Sequence, residues 1–180
     1  MTRRARSKRI VLGVTGSIAA YKAAELVRAL IKAGHEVRCV MTPNAAQFVT
    51  PLTLQTLSKN PVAQSLYDPS LWEMAHLTLA DWADLIVVAP CTADFLARAA
   101  AGRAEGVLDG LLLAARAPVA LCPAMDGGMW EHPATRANTN AAKGFGYKIW
   151  GPVKGELASG KVGMGRMLEP DEIVERVASL

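Results

Sequence analysis

The chain has 180 residues, 51% of them hydrophobic, so it is long enough to bury one sizeable core and is close to the usual size of a single domain. Its 20 basic residues exceed its 16 acidic residues, but the excess lies at the start of the chain, in Arg3, Arg4, Arg6, Lys8 and Arg9. This distribution predicts a disordered basic tail over residues 1–8 and argues against a nucleic-acid-binding surface, because no basic patch interleaved with aromatic residues follows.

The cysteines and the hydropathy of the chain indicate what kind of protein it is. Cys39, Cys91 and Cys122 are widely spaced, with no Cys-x-x-Cys motif and no histidine pair at metal-ligand spacing. This pattern predicts a reduced, cytoplasmic protein without a structural metal. The apolar residues 10–14 follow basic residues as in a signal peptide, but Gly16-Ser17 interrupts them, and no apolar run approaches the roughly 18 residues of a membrane span.

The first elements predict a βαβ unit. Residues 10–15 form a predicted buried strand, residues 19–33 a helix that Gly34 closes, and residues 37–41 a second strand. Two strands joined in this way lie parallel, with a right-handed crossover. The turn at Gly16-Ser17 lacks a dinucleotide fingerprint and a Walker lysine, but a helix N-terminus behind a glycine and a hydroxyl can bind one phosphate.

The remaining elements continue the α/β alternation. Helices are predicted at 51–57, 95–101, 107–115, 133–143 (beginning near 131) and 169–180, and strands at 85–89, 118–123 and 146–151. Residues 61–74 look irregular, and the glycine-rich segment 153–167 has no periodicity and predicts a mobile flap. The expected fold is therefore a single α/β domain over residues 9–180, with a Rossmann-like, flavodoxin-like open parallel sheet flanked by helices.

The octapeptide Pro123-Ala124-Met125-Asp126-Gly127-Gly128-Met129-Trp130 occupies a position that favours ligand binding. It follows a predicted buried strand, and ligands of open parallel sheets bind in the crevice beyond the strand ends. Its two glycines let backbone approach a ligand closely. A tight strand-to-helix turn without a ligand explains the same residues.

Other polar residues follow the strands in the same way. Thr42 follows the second predicted strand, and the turn from Cys91 to Asp94 follows the third. Thr42 has a purely structural explanation as a helix N-cap, and Cys91 has one as a small buried side chain. A lone histidine such as His76 is more often structural than catalytic.

The octapeptide is similar to Pro-x-Met-Asn-x-x-Met-Trp, a signature of the homo-oligomeric flavin-containing cysteine decarboxylases. That family includes phosphopantothenoylcysteine decarboxylases and peptidyl-cysteine decarboxylases. Four further stretches resemble its motifs, so that the likeness runs from Arg9 to Pro170: the turn at 16–22, His76, the turn at 90–94 and the flap at 155–160.

The resemblance implies flavin mononucleotide (FMN) as the cofactor. The positions that match the flavin-contacting motifs of the family are Gly16, Ser17, Ile18, Thr42, Cys91, Thr92, Ala93, Asp94, Ala124 and Met125. The family also forms trimers, often four of them together as a dodecamer, with the flavin between chains. Self-association is therefore expected, with no nucleic-acid or membrane partner.

The resemblance also implies the reaction and the residues that carry it. In the family, oxidation at the carbon that bears the substrate thiol precedes loss of the carboxylate as carbon dioxide, which leaves an enethiolate. The implied catalytic residues are His76, Asp126 and Ser159, with His76 as base or proton relay at the thiol. The implied substrate-binding residues are Asp126, Met129, Ala158, Ser159 and Arg166.

Four positions depart from the family pattern. Asp94 and Asp126 stand where the family has asparagine, Ser159 where the coenzyme A enzymes have cysteine, and Gly106 where an acidic residue is common beside Glu105. An ionised Asp126 repels a substrate carboxylate. The sequence leaves three accounts open: burial protonates Asp126, a cation such as Arg166 or Lys161 bridges the charges, or the substrate carboxylate binds elsewhere.

Ser159 bears on the product. A serine hydroxyl is a far weaker acid than a thiol, whose pKa is about 8.5, so the reaction is expected to stop at the enethiol. This favours a peptidyl cysteine as the substrate, with phosphopantothenoylcysteine of coenzyme A synthesis as the alternative. A non-catalytic FMN-binding regulatory subunit is a further alternative, and it fits both the Asp126 and the Ser159 departures.

Overall fold

The computed structural model describes residues 7–67 and 74–180, and its centre is a five-stranded parallel sheet of order β2-β1-β3-β4-β5. The order reverses between β1 and β3, and a crevice at such a switch point is the usual ligand site of an open α/β sheet. This topology confirms the predicted fold class. The strands are β1 (Arg9–Val14), β2 (Glu36–Met41), β3 (Leu85–Cys91), β4 (Val119–Pro123) and β5 (Lys148–Ile149).

Helices cover both faces of the sheet. One face packs against α1 (Tyr21–Lys32), α2 (Pro51–Ser58) and α8 (Pro170–Ala178). The other packs against α3 (Ala75–Trp82), α4 (Ala93–Ala100), α5 (Val107–Ala114) and α7 (Pro133–Gly144), and the short helix α6 (Gly127–Glu131) lies at the sheet edge where β4 ends.

Strand β3 shows why the central strands are continuous apolar runs in the sequence. Leu85, Val87 and Ala89 point into one core layer, and Ile86 and Val88 point into the other. All five are buried, because a parallel strand with helices on both faces has no solvent-facing side.

The helix after the octapeptide begins earlier than expected, at Gly127 rather than near 131. The Asp126 carboxylate accepts a hydrogen bond from the backbone N–H of Gly128 at 3.0 Å and so caps α6. Two consecutive glycines read as a turn in the sequence, and the capping carboxylate outweighs their low helix propensity. His132 then caps α7 by accepting from the N–H of Ala134.

The segment expected to be an irregular flap contains regular structure. Strands β6 (Val153–Glu156) and β7 (Val162–Arg166) form an antiparallel hairpin, separate from the main sheet. Its glycines hide the alternation by which a strand is normally recognised. Gly165 fixes its position, because its carbonyl accepts from the N–H of Met125 at 3.0 Å.

Parts of two other predictions lie outside the described residues: positions 1–6 of the basic tail and positions 68–73 of the irregular segment. Ser7 and Lys8, the described end of the tail, contact the domain. The Ser7 hydroxyl donates to the carbonyl of Gly34, and Lys8 Nζ donates to that of Val177, each at 2.7 Å. Within the described ranges no helix is both long and apolar enough to cross a membrane.

Candidate active site

A cavity of about 290 Å³, the strand-end cavity, lies where β1, β3 and β4 end. Parallel strands bring their carboxyl ends to one edge, so three turns that are distant in sequence meet there. The cavity is lined by Thr15, Gly16, Ser17, Thr42, Asn44, Thr92, Ala93, Asp94, Arg98, Ala124, Met125 and Met129.

Hydroxyl groups fix the turns around this cavity. The Thr15 hydroxyl donates to the carbonyl of Pro90 at 2.8 Å and accepts from the N–H of Thr92 at 3.0 Å, which ties the end of β1 to the end of β3. Thr92 caps α4 by accepting from the N–H of Phe95, and Ser17 caps the 3-10 turn before α1 by accepting from that of Ala19. Two helical N-termini are thus held at the cavity wall.

Gly16 allows the segment after β2 to close the cavity. A Cβ at Gly16 would lie 2.5 Å from the Cβ of Asn44, so only glycine permits this approach. The neighbouring Thr42 is largely buried, and within the described part of the chain its Oγ1 has no hydrogen-bond partner. A buried hydroxyl without a partner at a cavity wall is what a site for a polar ligand provides.

Arg98 forms two ion pairs at the wall of the strand-end cavity. Its Nε donates to Asp94 at 3.2 Å, and its Nη1 donates to the buried Asp109 at 2.8 Å. Burial raises the pKa of Asp109, and the Arg98 guanidinium and the N–H of Gly106 act in the opposite direction. The side chain of Asp94 is mostly exposed, so the Asp109 pair is the more strongly shielded of the two.

A second cavity of about 520 Å³, the hairpin cavity, lies between the start of α1, the octapeptide and the hairpin. It brings together four of the five expected substrate-binding residues, Asp126, Ala158, Ser159 and Arg166. Met129, the fifth, lines the strand-end cavity instead. Ala124 and Met125 line both cavities, so the two share a wall.

Two of the departures from the family pattern contact each other. The Ser159 hydroxyl donates to Oδ2 of Asp126 at 2.8 Å, while Oδ1 of Asp126 accepts from the N–H of Gly128. These two hydrogen bonds, in that order of size, lower the pKa of Asp126. Desolvation opposes them, and the charge of Lys161 adds a smaller lowering effect. The pKa of Asp126 is therefore lowered rather than raised, so burial within this chain does not favour its protonated form.

The cations that line the hairpin cavity share one partner. Lys22 Nζ lies 2.9 Å from both carboxylate oxygens of Glu169, and Arg166 also donates to that carboxylate. The Lys22 hydrogen bond is the largest cause of the lowered pKa of Glu169. The Lys22 side chain is nearly buried, so this pair is shielded, whereas Arg166 and Glu169 are partly exposed.

His76 lies apart from both cavities. It occupies the first turn of α3 rather than preceding a helix, and it packs on Gly110 of α5, where an added Cβ would lie 3.3 Å from its Cδ2. Its Nδ1 is buried and has no partner among the described residues. In the described part of the chain, His76 lines neither the strand-end cavity nor the hairpin cavity.

The expected cofactor residues line the strand-end cavity, with the exceptions of Ile18 and Cys91. Ile18 lines the hairpin cavity. The Cys91 side chain is fully buried in the core below the turn, and burial raises its thiol pKa, so it faces the protein interior. The sequence interpretation missed Thr15, Asn44 and Arg98. Only Thr15 carried a signal, as the hydroxyl between a buried strand and a glycine turn.

These residues fit FMN. Ser17, Thr92 and the N–H groups at two helix starts are suited to phosphate and hydroxyl oxygens. The unpartnered Oγ1 of Thr42 leaves one further polar group for a ligand. In the described ranges no group of three or more histidine, cysteine or acidic residues is arranged to hold a metal ion.

Comparison with known proteins identifies the family of this chain. The sequence profile of the family described as Flavoprotein matches residues 1–180. The coenzyme A biosynthesis bifunctional protein CoaBC of Vibrio cholerae is 51% identical over 168 residues, which are 93% of this chain and 42% of the relative. The chain therefore spans less than half the length of that curated relative.

Two solved structures are similar over nearly their whole length. One is a cysteine-to-serine mutant of a PPC decarboxylase complexed with pantothenoylaminoethenethiol, with a TM-score of 0.84, 30% identity, and coverage of 96% of this chain and 97% of that one. The other is the FMN-dependent cysteine decarboxylase SpaF, with a TM-score of 0.81, 29% identity, and coverage of 99% and 100%. The chain therefore belongs to the flavoprotein family of FMN-dependent cysteine decarboxylases.

Proposed function

We propose that the chain uses FMN to decarboxylate the cysteine carboxylate of phosphopantothenoylcysteine. The 51% identity with CoaBC over 93% of the chain carries this proposal. It supports the coenzyme A precursor, the alternative from the sequence, over the peptidyl cysteine that Ser159 had favoured. A second activity like that of the bifunctional relatives is not part of the proposal, because the chain spans 42% of their length.

The substrate carboxylate is proposed to bind away from Asp126. Both oxygens of Asp126 already accept hydrogen bonds, and its ionised carboxylate repels a second anion. Arg166 and Lys22 line the same cavity and share the single carboxylate of Glu169. Two cations on one carboxylate leave net positive charge, which supports this edge of the cavity as the carboxylate site.

FMN supplies the oxidation that makes loss of carbon dioxide easy. The chain then has to handle one proton at the substrate thiol, and we assign that role to His76. Since His76 lines neither cavity among the described residues, we further propose that a second chain completes the site. A trimer or larger assembly is expected, and its cytoplasmic location also stays a prediction.

Ser159 is proposed to leave the reaction at the enethiol. Its hydroxyl proton points at the carboxylate of Asp126, and an adjacent anion makes an already weak acid weaker still. Returning hydride to the enethiol requires a proton at carbon, and Ser159 is poorly suited to supply it. The proposed product is therefore the enethiol of phosphopantetheine, with dissolved oxygen as the final acceptor of the two electrons removed in each turnover. Reduction to the thiol is a slow second step.

The test is aerobic incubation of purified, yellow holoprotein with phosphopantothenoylcysteine and, separately, with peptides that end in cysteine. The products are identified by mass spectrometry. Loss of carbon dioxide with two hydrogens marks the enethiol, and loss of carbon dioxide alone marks the reduced thiol. We expect turnover of the coenzyme A precursor to the enethiol, and more reduced thiol from Ser159→Cys.

Three other outcomes have definite meanings. Reaction with peptides alone would return the assignment to a peptidyl-cysteine decarboxylase. Clean reduced thiol from the native protein would contradict the account of Ser159 but leave the substrate assignment standing. Bound FMN without reaction on either substrate would favour the regulatory subunit.

A further inference from the structure

The carboxylate of Asp109 is buried, and only one of its two oxygens is satisfied. Oδ2 accepts from Arg98 Nη1 at 2.8 Å and from the N–H of Gly106 at 2.9 Å. Oδ1 has no hydrogen-bond partner among the described residues, although the residue is only 2% exposed. A buried carboxylate oxygen without a donor is costly, so a ligand that donates to it would be favoured.

Asp109 lines a third cavity, the side cavity, of about 180 Å³. Thr42, whose buried Oγ1 is also unpartnered, lines the same cavity, and so does Arg98. Both of these residues line the strand-end cavity as well. The side cavity is therefore an extension of the cofactor site beyond Thr42 and Arg98, and Asp109 stands on its wall.

The chain places this carboxylate where a neighbouring residue would otherwise project. Position 106 is one of the departures from the family pattern, with glycine in place of an acidic residue. A Cβ at Gly106 would lie 2.9 Å from Asp109 Oδ2, so the Asp109 carboxylate occupies the space that a side chain at 106 would enter. Glycine at 106 thus leaves room for the carboxylate of Asp109, which lies in the first turn of α5 and accepts from the N–H of Gly106.

We propose that the side cavity is the subsite for the pyrimidine portion of the flavin ring, with Oδ1 of Asp109 accepting a hydrogen bond from the ring N–H. The oxidised ring carries a single N–H, and a carbonyl group flanks it on each side. The wall offers the matching pattern, an acceptor on Asp109 beside donors on Arg98 and Thr42. The inference concerns how the cofactor is held, and it does not depend on which substrate is decarboxylated.

The binding of FMN and of N3-methyl-FMN, which lacks the ring N–H, to deflavinated protein provides the test. A hydrogen bond to a charged acceptor predicts that the native protein binds FMN roughly tenfold to a hundredfold more tightly than the methylated analogue. Asp109→Ala removes both the acceptor and the obstacle to the methyl group, so it should bind the two flavins with dissociation constants within about threefold.

Two variants serve as controls. Glu105 lines the same cavity but pairs with Arg103 and is half exposed, so Glu105→Gln should keep the native preference for FMN. Thr42→Val should weaken the binding of both flavins and keep the native preference for FMN, because the valine removes a different hydrogen bond. If Asp109→Ala does not fold, Asp109→Asn replaces it. This variant should still bind FMN more tightly than N3-methyl-FMN, but by a smaller ratio than the native protein.

Equal binding of the two flavins by the native protein would overturn the proposal without any variant. So would a native preference that persists undiminished in the Asp109 variant, since the ribityl hydroxyls or another part of the wall would then account for it. Loss of the preference in Glu105→Gln as well would indicate general electrostatics rather than this hydrogen bond. None of these results alters the outcome of the decarboxylation assay.

Discussion

The strand-end turns and the hairpin build neighbouring cavities by different means. Around the strand-end cavity, buried hydroxyl groups such as that of Thr15 lock the backbone of the turns to one another. At the hairpin, the side-chain contact across the cavity is the partly exposed pair of Asp126 and Ser159. Buried hydrogen bonds thus make the strand-end cavity part of the core, whereas a partly exposed contact joins the hairpin to the octapeptide.

The largest expected effect is at His76, which lines neither of these two cavities among the described residues. His76→Asn should keep FMN bound and lower the decarboxylation rate by about two orders of magnitude or more, the usual contribution of a general base. Single-turnover assays on the holoprotein measure this effect. His132→Asn, which retains a side chain that can cap α7, is the matched control and should stay close to the native rate. Near-native turnover of the His76 variant would assign that residue to structure.

The attachment of the hairpin is tested at Gly165. This residue has a φ of +143°, and an added Cβ would lie 2.1 Å from the carbonyl oxygen of Met125. Gly165→Ala should displace the hairpin, at a cost of about 1–3 kcal/mol from the backbone conformation alone, and should abolish most of the activity. Limited proteolysis and activity report the displacement. Gly144→Ala, where an added Cβ meets nothing within 4 Å, should leave both unchanged.

The rigidity of the strand-end turns is tested at Thr15. Thr15→Val removes a buried hydroxyl that donates to Pro90 and accepts from Thr92, so the free energy of unfolding should fall by about 1–3 kcal/mol. FMN affinity should fall with it, because both partners belong to the turn at the cavity. Urea denaturation and flavin titration measure the two effects.

Thr139→Val is the matched control for Thr15. Its buried hydroxyl donates to the carbonyl of Thr135 within α7, away from the three cavities. This variant should lose some stability and keep native FMN affinity. Equal loss of FMN affinity in both variants would contradict a specific role for the Thr15 hydroxyl.

The smallest expected effect concerns the pH dependence of the Asp126–Ser159 contact. Hydrogen bonding lowers the pKa of Asp126 below its ordinary value, so the contact stabilises the hairpin above the ordinary pKa. That stabilisation is lost as the pH falls through the lowered pKa. In Ser159→Ala the pKa of Asp126 should rise toward the ordinary value, as measured by carbon-detected NMR titration of the carboxyl group.

Ser179→Ala controls for loss of an exposed hydroxyl, because Ser179 donates to the carbonyl of Arg176 at the end of α8. The titration of Asp126 should be native in this variant. An unchanged Asp126 titration in Ser159→Ala would show that the two side chains do not interact in solution.

Hydrophobic pattern alone determined most of the sheet. The runs at β1, β3 and β4 are buried on both faces, and such strands carry a continuous apolar signal that does not depend on contacts elsewhere. Because parallel strands align their carboxyl ends, the sequence also indicated that the turns after these strands meet. The glycines and the capped start of α6 were harder to interpret, since a helix start depends on one side-chain hydrogen bond from Asp126.

Only the tertiary structure decided the chemistry at the changed positions. Asp126 and Ser159 are far apart in the sequence, so the sequence left three accounts of Asp126 open. The fold brings the Ser159 hydroxyl to its carboxylate, and this hydrogen bond lowers the pKa of Asp126. The same holds for Asp109, which carried no sequence signal as part of an apolar helix. Burial, an Arg98 partner and a glycine at 106 are properties of packing, and together they place Asp109 on the wall of the side cavity.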